Sequence, residues 1–217
     1  FTMDEVVAIY RKWLGWKRAR RMTLPHWLAR LLYRAGDFAA ALGWRPPLRS
    51  TAEKEMARGA VGDPSTWQKA TGIRPTSLEA ALAAEPAGVQ EKWFAGLYVL
   101  KPIMFVVLSA FWLATAVISV TIGYGLGVQL LAIAGAGALS GPGVIAGAFA
   151  DLVIGILIAF RRTTRLGLWG ALALSTFYIV AGTILRPDLW AEPLGPFLKI
   201  FPIVVLHLVA LAILEER

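Results

Sequence analysis

The run from Pro102 to Phe160 constrains this chain most: 59 residues in which Asp151 is the sole charged side chain, closed by Arg161, Arg162, Thr163, Thr164 and Arg165. A helix needs about 20 apolar residues to cross the hydrocarbon core of a bilayer, so the run holds two crossings and a connection. An ordinary soluble domain does not fit, since 57% of the 217 residues are hydrophobic and only 17% are charged. Between residues 141 and 160, Gly143, Gly147, Asp151 and Gly155 recur every fourth position. That spacing puts them on one stripe of a helix. Small residues in such a stripe let a second backbone come close, with the carboxylate inside the contact.

Charge sets the expected topology. Residues 1–97 carry 15 Lys/Arg and 9 Asp/Glu, against 7 and 5 in the remainder. Basic residues beside a span favour the cytoplasmic side, so the amino-terminal part is expected in the cytoplasm. Arg161, Arg162 and Arg165 want the same side, which requires an even number of crossings before them. The spans are therefore expected at about residues 98–121 and 141–160, with the glycine-rich stretch 125–139 forming a short apolar helix that does not cross. Two further spans follow, at about 167–185 and 195–214, and the loop 186–195 faces the other side with Trp190 as an interfacial anchor. The expected fold is all-α: a four-transmembrane-helix bundle, both termini cytoplasmic, preceded by a helical cytoplasmic segment. No signal peptide is expected, because the first long apolar run begins near Tyr98. Phe1 in first place suggests that something upstream was removed or not included.

Before the membrane run the chain reads as short helices. Thr2 with Glu5, Ser50 with Glu53, and Thr76 with Glu79 have the spacing of a capping box, and Asp63-Pro64 marks a fourth start. Between Pro25 and Leu42 the residues Leu28, Leu31, Leu32, Phe38 and Leu42 keep helical spacing, and that face must be buried against something. Arg11, Lys12, Lys17, Arg18, Arg20 and Arg21 crowd into eleven positions with Trp13 and Trp16 between them. With spans in the same chain, attraction to anionic headgroups at roughly 1 kcal/mol per residue accounts for this cluster. A solvated helix face accounts for it equally well, and nucleic acid is not an expected partner.

Two resemblances follow from particular motifs. TGIRPTSLEAAL at 71–82, WRPPLRSTAEKEMARG at 44–59 and MDEVVAIYRKWLGW at 3–16 resemble the carboxy-terminal part of atypical short-chain dehydrogenase/reductase proteins, over roughly residues 1–85. No G-x-G-x-x-G turn opens a helix here and no Tyr-x-x-x-Lys pair occurs. The chain as given is thus expected neither to bind a dinucleotide nor to transfer a hydride, and NAD(P) would enter only through an upstream domain. ADLVIG at 150–155, AGT at 181–183 before Arg186-Pro187, LKIFP at 198–202 and LHLVALAIL at 206–214 resemble the DoxX-like family of four-helix membrane proteins, in the branch fused behind a dehydrogenase-like domain. The boundary then falls between residues 1–86 and 87–217. The resemblance implies a bacterial inner-membrane protein. Founding members of that family accompany thiosulfate and quinone oxidoreductases.

An ionisable residue within a span costs several kcal/mol unless paired or wet, which makes Asp151 a candidate. Helical rise places His207 of the last span at a similar depth, about 12–15 Å from the cytoplasmic ends, so the two are expected to meet. Such a pair clamps two helices, relays protons or holds a quinone headgroup. Tyr178, Ser175 and Thr183 share the interior, and Lys199, the remaining polar candidate, lies near the outer interface. Cysteine is absent, and a metal site would want more ligands than these. The expected function is a non-catalytic membrane module that anchors or assists an oxidoreductase and shapes a quinone or lipid pocket. The alternatives are an accessory subunit of a respiratory or photosynthetic complex and a proton-coupled carrier.

Overall fold

The computed structural model describes residues 1–59 and 62–215, and every regular element among them is helical. By their internal contacts they form two compact units, residues 1–41 with 45–99 and residues 42–44 with 100–217.

The first unit holds α1 (Met3–Trp13), α2 (His26–Ala41), α3 (Ser50–Arg58), α4 (Ser65–Thr71), α5 (Leu78–Ala84) and α6 (Val89–Leu97). The capping box of α1 forms as its sequence predicts: Thr2 N–H donates to Glu5 Oε2 at 2.6 Å and Glu5 N–H to Thr2 Oγ1 at 3.3 Å. Asp63 starts α4, accepting from the Ser65 N–H at 2.9 Å. The other two boxes do not form. Ser50 N–H donates to Asp37 Oδ1 on α2 at 3.2 Å, so a carboxylate from another helix replaces the local one. At α5 the cap is Ser77, one residue after Thr76, accepting from Ala80 N–H at 3.2 Å. α6 opens on Glu91, which accepts from Gly88 N–H at 2.8 Å, a start that a search for hydroxyl caps passes over.

Gly36 lets α2 meet the segment before α3, since a Cβ there would lie 1.7 Å from the Leu48 carbonyl oxygen. The apolar face of α2, expected to be buried, is largely open: Leu31 and Phe38 are 57% and 67% exposed. One helix touching α2 through a glycine covers too little of it.

The second unit holds α7 (Leu100–Val120), α8 (Tyr124–Ile133), a 3₁₀ turn (Gly137–Leu139), α9 (Ser140–Ala159), α10 (Thr164–Leu185), a 3₁₀ turn (Pro187–Trp190) and α11 (Ile200–Ala212). Leu100–Val120, Gly137–Ala159 and Thr164–Leu185, of 21, 23 and 22 residues, are long and apolar enough to cross a membrane. α8 has 10 residues, about 15 Å of helix, and lies along the start of α9 rather than beside its whole length. It occupies the place of the expected non-spanning helix. The last expected span, 195–214, is helical over the 13 residues of α11, about 20 Å. Pro193, Pro196 and the left-handed Gly195 (φ +55°) keep the chain in turns until Lys199.

Phe105, Leu108 and Trp112 of α7, Ile154 and Ile158 of α9, Leu168 and Ala171 of α10, and Ala210 on α11 with Leu214 just beyond it form the core. One end is tied by polar contacts. Trp44 Nε1–H donates to Ala159 O at 2.7 Å, satisfying a carbonyl at the end of α9, and its ring packs on Phe105 near the start of α7 at 4.8 Å. Arg161 donates from its backbone to Leu42 O and from its guanidinium to Leu214 O at 2.8 Å, just past α11. Arg165 pairs with Glu215. The start of α7, the α9–α10 turn and the end of α11 thus share one end of the unit, as an even number of passes between them requires.

Candidate functional site: a cavity between the helices

Asp151 lies eight residues before the end of α9, about 12 Å into the helix, and is 3% exposed. It borders a cavity of about 130 Å³. α7 supplies Phe111, Trp112 and Thr115, α10 supplies Ser175 and Tyr178, and α11 supplies Ile200 and Ile203. Phe111 is exposed and Thr115 half-buried on the flank of α7, so the cavity opens at the seam between α7 and α11.

Asp151 and Tyr178 come together. The phenol donates to Asp151 Oδ1 at 3.4 Å, a long hydrogen bond, and no donor among the described residues reaches Oδ2. Gly147 makes room for the phenol, because a Cβ there would stand 3.2 Å from its oxygen. Ser175 is 5% exposed, and its hydroxyl makes no hydrogen bond within the described residues. A helical serine normally bonds back to its own helix, as Thr176 does at 2.8 Å to Leu172 O. Ser175 instead lines the cavity.

His207 does not meet Asp151, contrary to the expectation from matched depth. It is fully buried, Nε2 accepts from Trp112 Nε1–H at 3.0 Å, and Nδ1 lies 2.7 Å from Ile203 O. An indole nitrogen can only donate, so Nε2 must accept and Nδ1 must carry the proton given to Ile203. Both ring nitrogens are thereby used. Asp151 shares the cavity with Ile203, a full turn of α11 or about 6 Å from His207 along the axis. Rise per residue fixed the depth of each group but not the direction in which the ring turns. The signal that points to the true partner is Trp112: an indole in mid-span needs an acceptor, and few are present there.

The glycine stripe also divides. Gly143 faces Leu131 of α8 at 3.0 Å from a built Cβ, Gly147 faces Tyr178 of α10, and Gly155 faces Leu113 of α7 at 2.7 Å. The stripe was expected to face the bundle interior, with the carboxylate against the last helix. A four-residue repeat drifts around a helix of 3.6 residues per turn, so successive glycines reach different neighbours. Lys199, expected among the buried polar candidates, is exposed and forms the N-cap of α11. Thr183 accepts from Trp190 Nε1–H at 3.0 Å, outside the cavity.

In the first unit the basic cluster does not lie on one helix face, because α1 ends at Trp13 and residues 16–25 are irregular. Arg11 donates to Lys17 O at 2.8 Å and its guanidinium stands 5.4 Å over the Trp16 ring, while Arg21 pairs with Asp4 at 3.0 Å. Lys12, Lys17, Arg18 and Arg20 are exposed.

Among the described residues no three His, Cys, Asp or Glu side chains are grouped to hold a metal ion. No curated protein and no solved structure matches the chain. Residues 109–208, from the middle of α7 to α11 and including every residue that lines the cavity, match the model of the DoxX-like family.

Proposed function

We propose that this chain is a non-catalytic membrane module that holds an oxidoreductase at the bilayer and offers its intramembrane cavity to a quinone or lipid group. The observation that carries this reading is the cavity itself. It is walled by aromatic and isoleucine side chains, with a few polar groups converging on it, which is the usual make-up of a small-molecule site. Its volume of about 130 Å³ is close to that of cavities that accept one benzene ring, about 150 Å³. The DoxX-like match over residues 109–208 supports the membrane module, and the oxidoreductase partner is inferred from the resemblance of residues 1–86 to the end of a dehydrogenase/reductase. On this reading α11, with the turns before it, completes a fourth crossing in a bacterial inner membrane, with both chain ends in the cytoplasm. The exposed members of the basic cluster rest on anionic headgroups.

A second reading, an accessory subunit with no small-molecule role, draws on the first unit. Trp27, Phe38 and Trp93 are each more than two-thirds exposed there, large apolar side chains suited to a partner. Purification from native membranes separates the two. Quinone or nicotinamide nucleotide retained with the chain, together with an oxidoreductase, is the expected result. Stoichiometric foreign subunits with neither small molecule would establish the accessory role instead.

A further inference from the structure

The cavity has its hydrogen-bonding capacity unevenly divided. Four side chains around it carry an N–H or O–H proton, and three of those protons are already committed inside the protein. Trp112 gives its proton to His207, Thr115 gives its hydroxyl proton to Phe111 O at 2.8 Å, and Tyr178 gives its own to Asp151. Of the four, Ser175 keeps a proton that no described residue accepts. Acceptor sites are plentiful by comparison: Asp151 Oδ2 has no donor among the described residues, and Ser175 Oγ, Tyr178 Oη and Thr115 Oγ1 retain lone pairs. A carboxylate oxygen that faces a cavity with no protein donor takes its hydrogen bond from water or from a ligand.

We propose that the cavity binds a lipid-soluble phenol, one aromatic ring whose hydroxyl donates to Asp151 and accepts from Ser175, entering from the bilayer between α7 and α11. This rests on reading the cavity as a ligand pocket and is independent of the anchoring role. It adds a preference: a reduced ring carrying hydroxyls fits better than an oxidised one carrying only carbonyls, since the carbonyl form has a single donor to meet and leaves the carboxylate unpaired. The ring occupies the space between Phe111, Trp112 and Ile203, and the hydroxyl is at the Asp151 end. A bare cation suits the carboxylate but not walls that offer so few further oxygens. Water alone would satisfy Asp151, at about 30 Å³ per molecule, and leave the aromatic side of the cavity poorly filled.

The test uses the full chain in uncharged phosphatidylcholine nanodiscs, with 4-fluorophenol and 4-fluorotoluene as probes of nearly equal shape read by ¹⁹F NMR. Saturable binding is expected for both, with the phenol tighter by about tenfold, the effect of one hydrogen bond to a charged acceptor. Asp151→Asn should shrink that preference to about threefold or less, because a neutral amide accepts less strongly. Ser175→Leu fills much of the space and should abolish binding of both probes, so the test stands even where the Asp151 variant fails to fold. Equal affinity of the two probes, or a preference that survives Asp151→Asn, would overturn the proposal while leaving a pocket in place. Absence of saturable binding to either probe would overturn the pocket reading as well. A rise in melting temperature with sodium that Asp151→Asn removes, without phenol binding, would assign the site to a cation and sink the proposal.

Discussion

α7 is packed against α9 and against α11 in different ways, and the contrast explains where this protein can hold anything. On the α9 side, Gly155 brings the backbones together. Ser109 Oγ donates to Gly155 O at 2.9 Å, and a Cβ at Gly155 would stand 3.0 Å from the backbone nitrogen of Leu113. On the α11 side no glycine is available, and the contact is made by two large rings, Trp112 and His207, with centroids 5.9 Å apart. Ring-to-ring packing near the middle of α11 leaves a gap beyond it, where α11 begins and Ile200 and Ile203 face the cavity. Small residues close a helix seam; bulky ones hold it open at their own diameter.

The largest expected effect comes from breaking the tight seam. Gly155→Val would place side-chain carbon against Leu113 atoms at 2.7–3.0 Å, and neither the backbone nitrogen nor the helix can move far. A loss of about 3 kcal/mol or more is expected, seen as a large fall in melting temperature in detergent, whereas the same change at exposed Gly96, where nothing lies within 4 Å of a built Cβ, should cost much less.

The open seam should break more gently. Trp112→Phe keeps the packing and removes the donor to His207 Nε2. His207→Leu removes the acceptor. Each single change should cost about 1–3 kcal/mol and the double change less than their sum, leaving a coupling of about 1 kcal/mol in a double-mutant cycle. Additive losses would mean that the rings merely pack.

The smallest effect is expected at the loop that leads into α11, where Arg186 donates to both carboxylate oxygens of Asp188. The hydrogen bonds from Arg186 lower the Asp188 pKa below the usual carboxylate value. A depressed folded-state pKa means that the stabilisation is present above the ordinary carboxylate range and is lost as pH falls through the folded value. Melting curves of the parent and Asp188→Asn should therefore differ slightly at neutral pH and converge in acid. A difference that widened in acid would contradict the pairing.

Much of this was legible in the residues. Apolar run lengths located the three long helices, and the glycine content and brevity of 125–139 marked α8 as too short to cross, because backbone groups in a bilayer must be satisfied within a helix and that fixes length. The prolines and glycine before Lys199 also announce a late start for α11 once their effect on backbone donors is counted. Asp151 and Tyr178 were both legible as candidates, since polar groups are scarce in spans.

What the sequence could not decide was pairing. Position along a helix gives depth, but the partner of a side chain depends on its rotamer and on which neighbour lies at that azimuth, and both are set only when all helices are packed. His207 was therefore matched in depth with Asp151 and bonded to Trp112. The same reason separates the capping boxes: Thr2 and Glu5 close on each other within one turn, whereas Ser50 donates to Asp37, 13 residues away, a carboxylate that α2 presents to it. Composition and spacing determined that this chain forms long apolar helices with an acid inside them. Only the tertiary structure left that acid facing a cavity with more acceptors than donors.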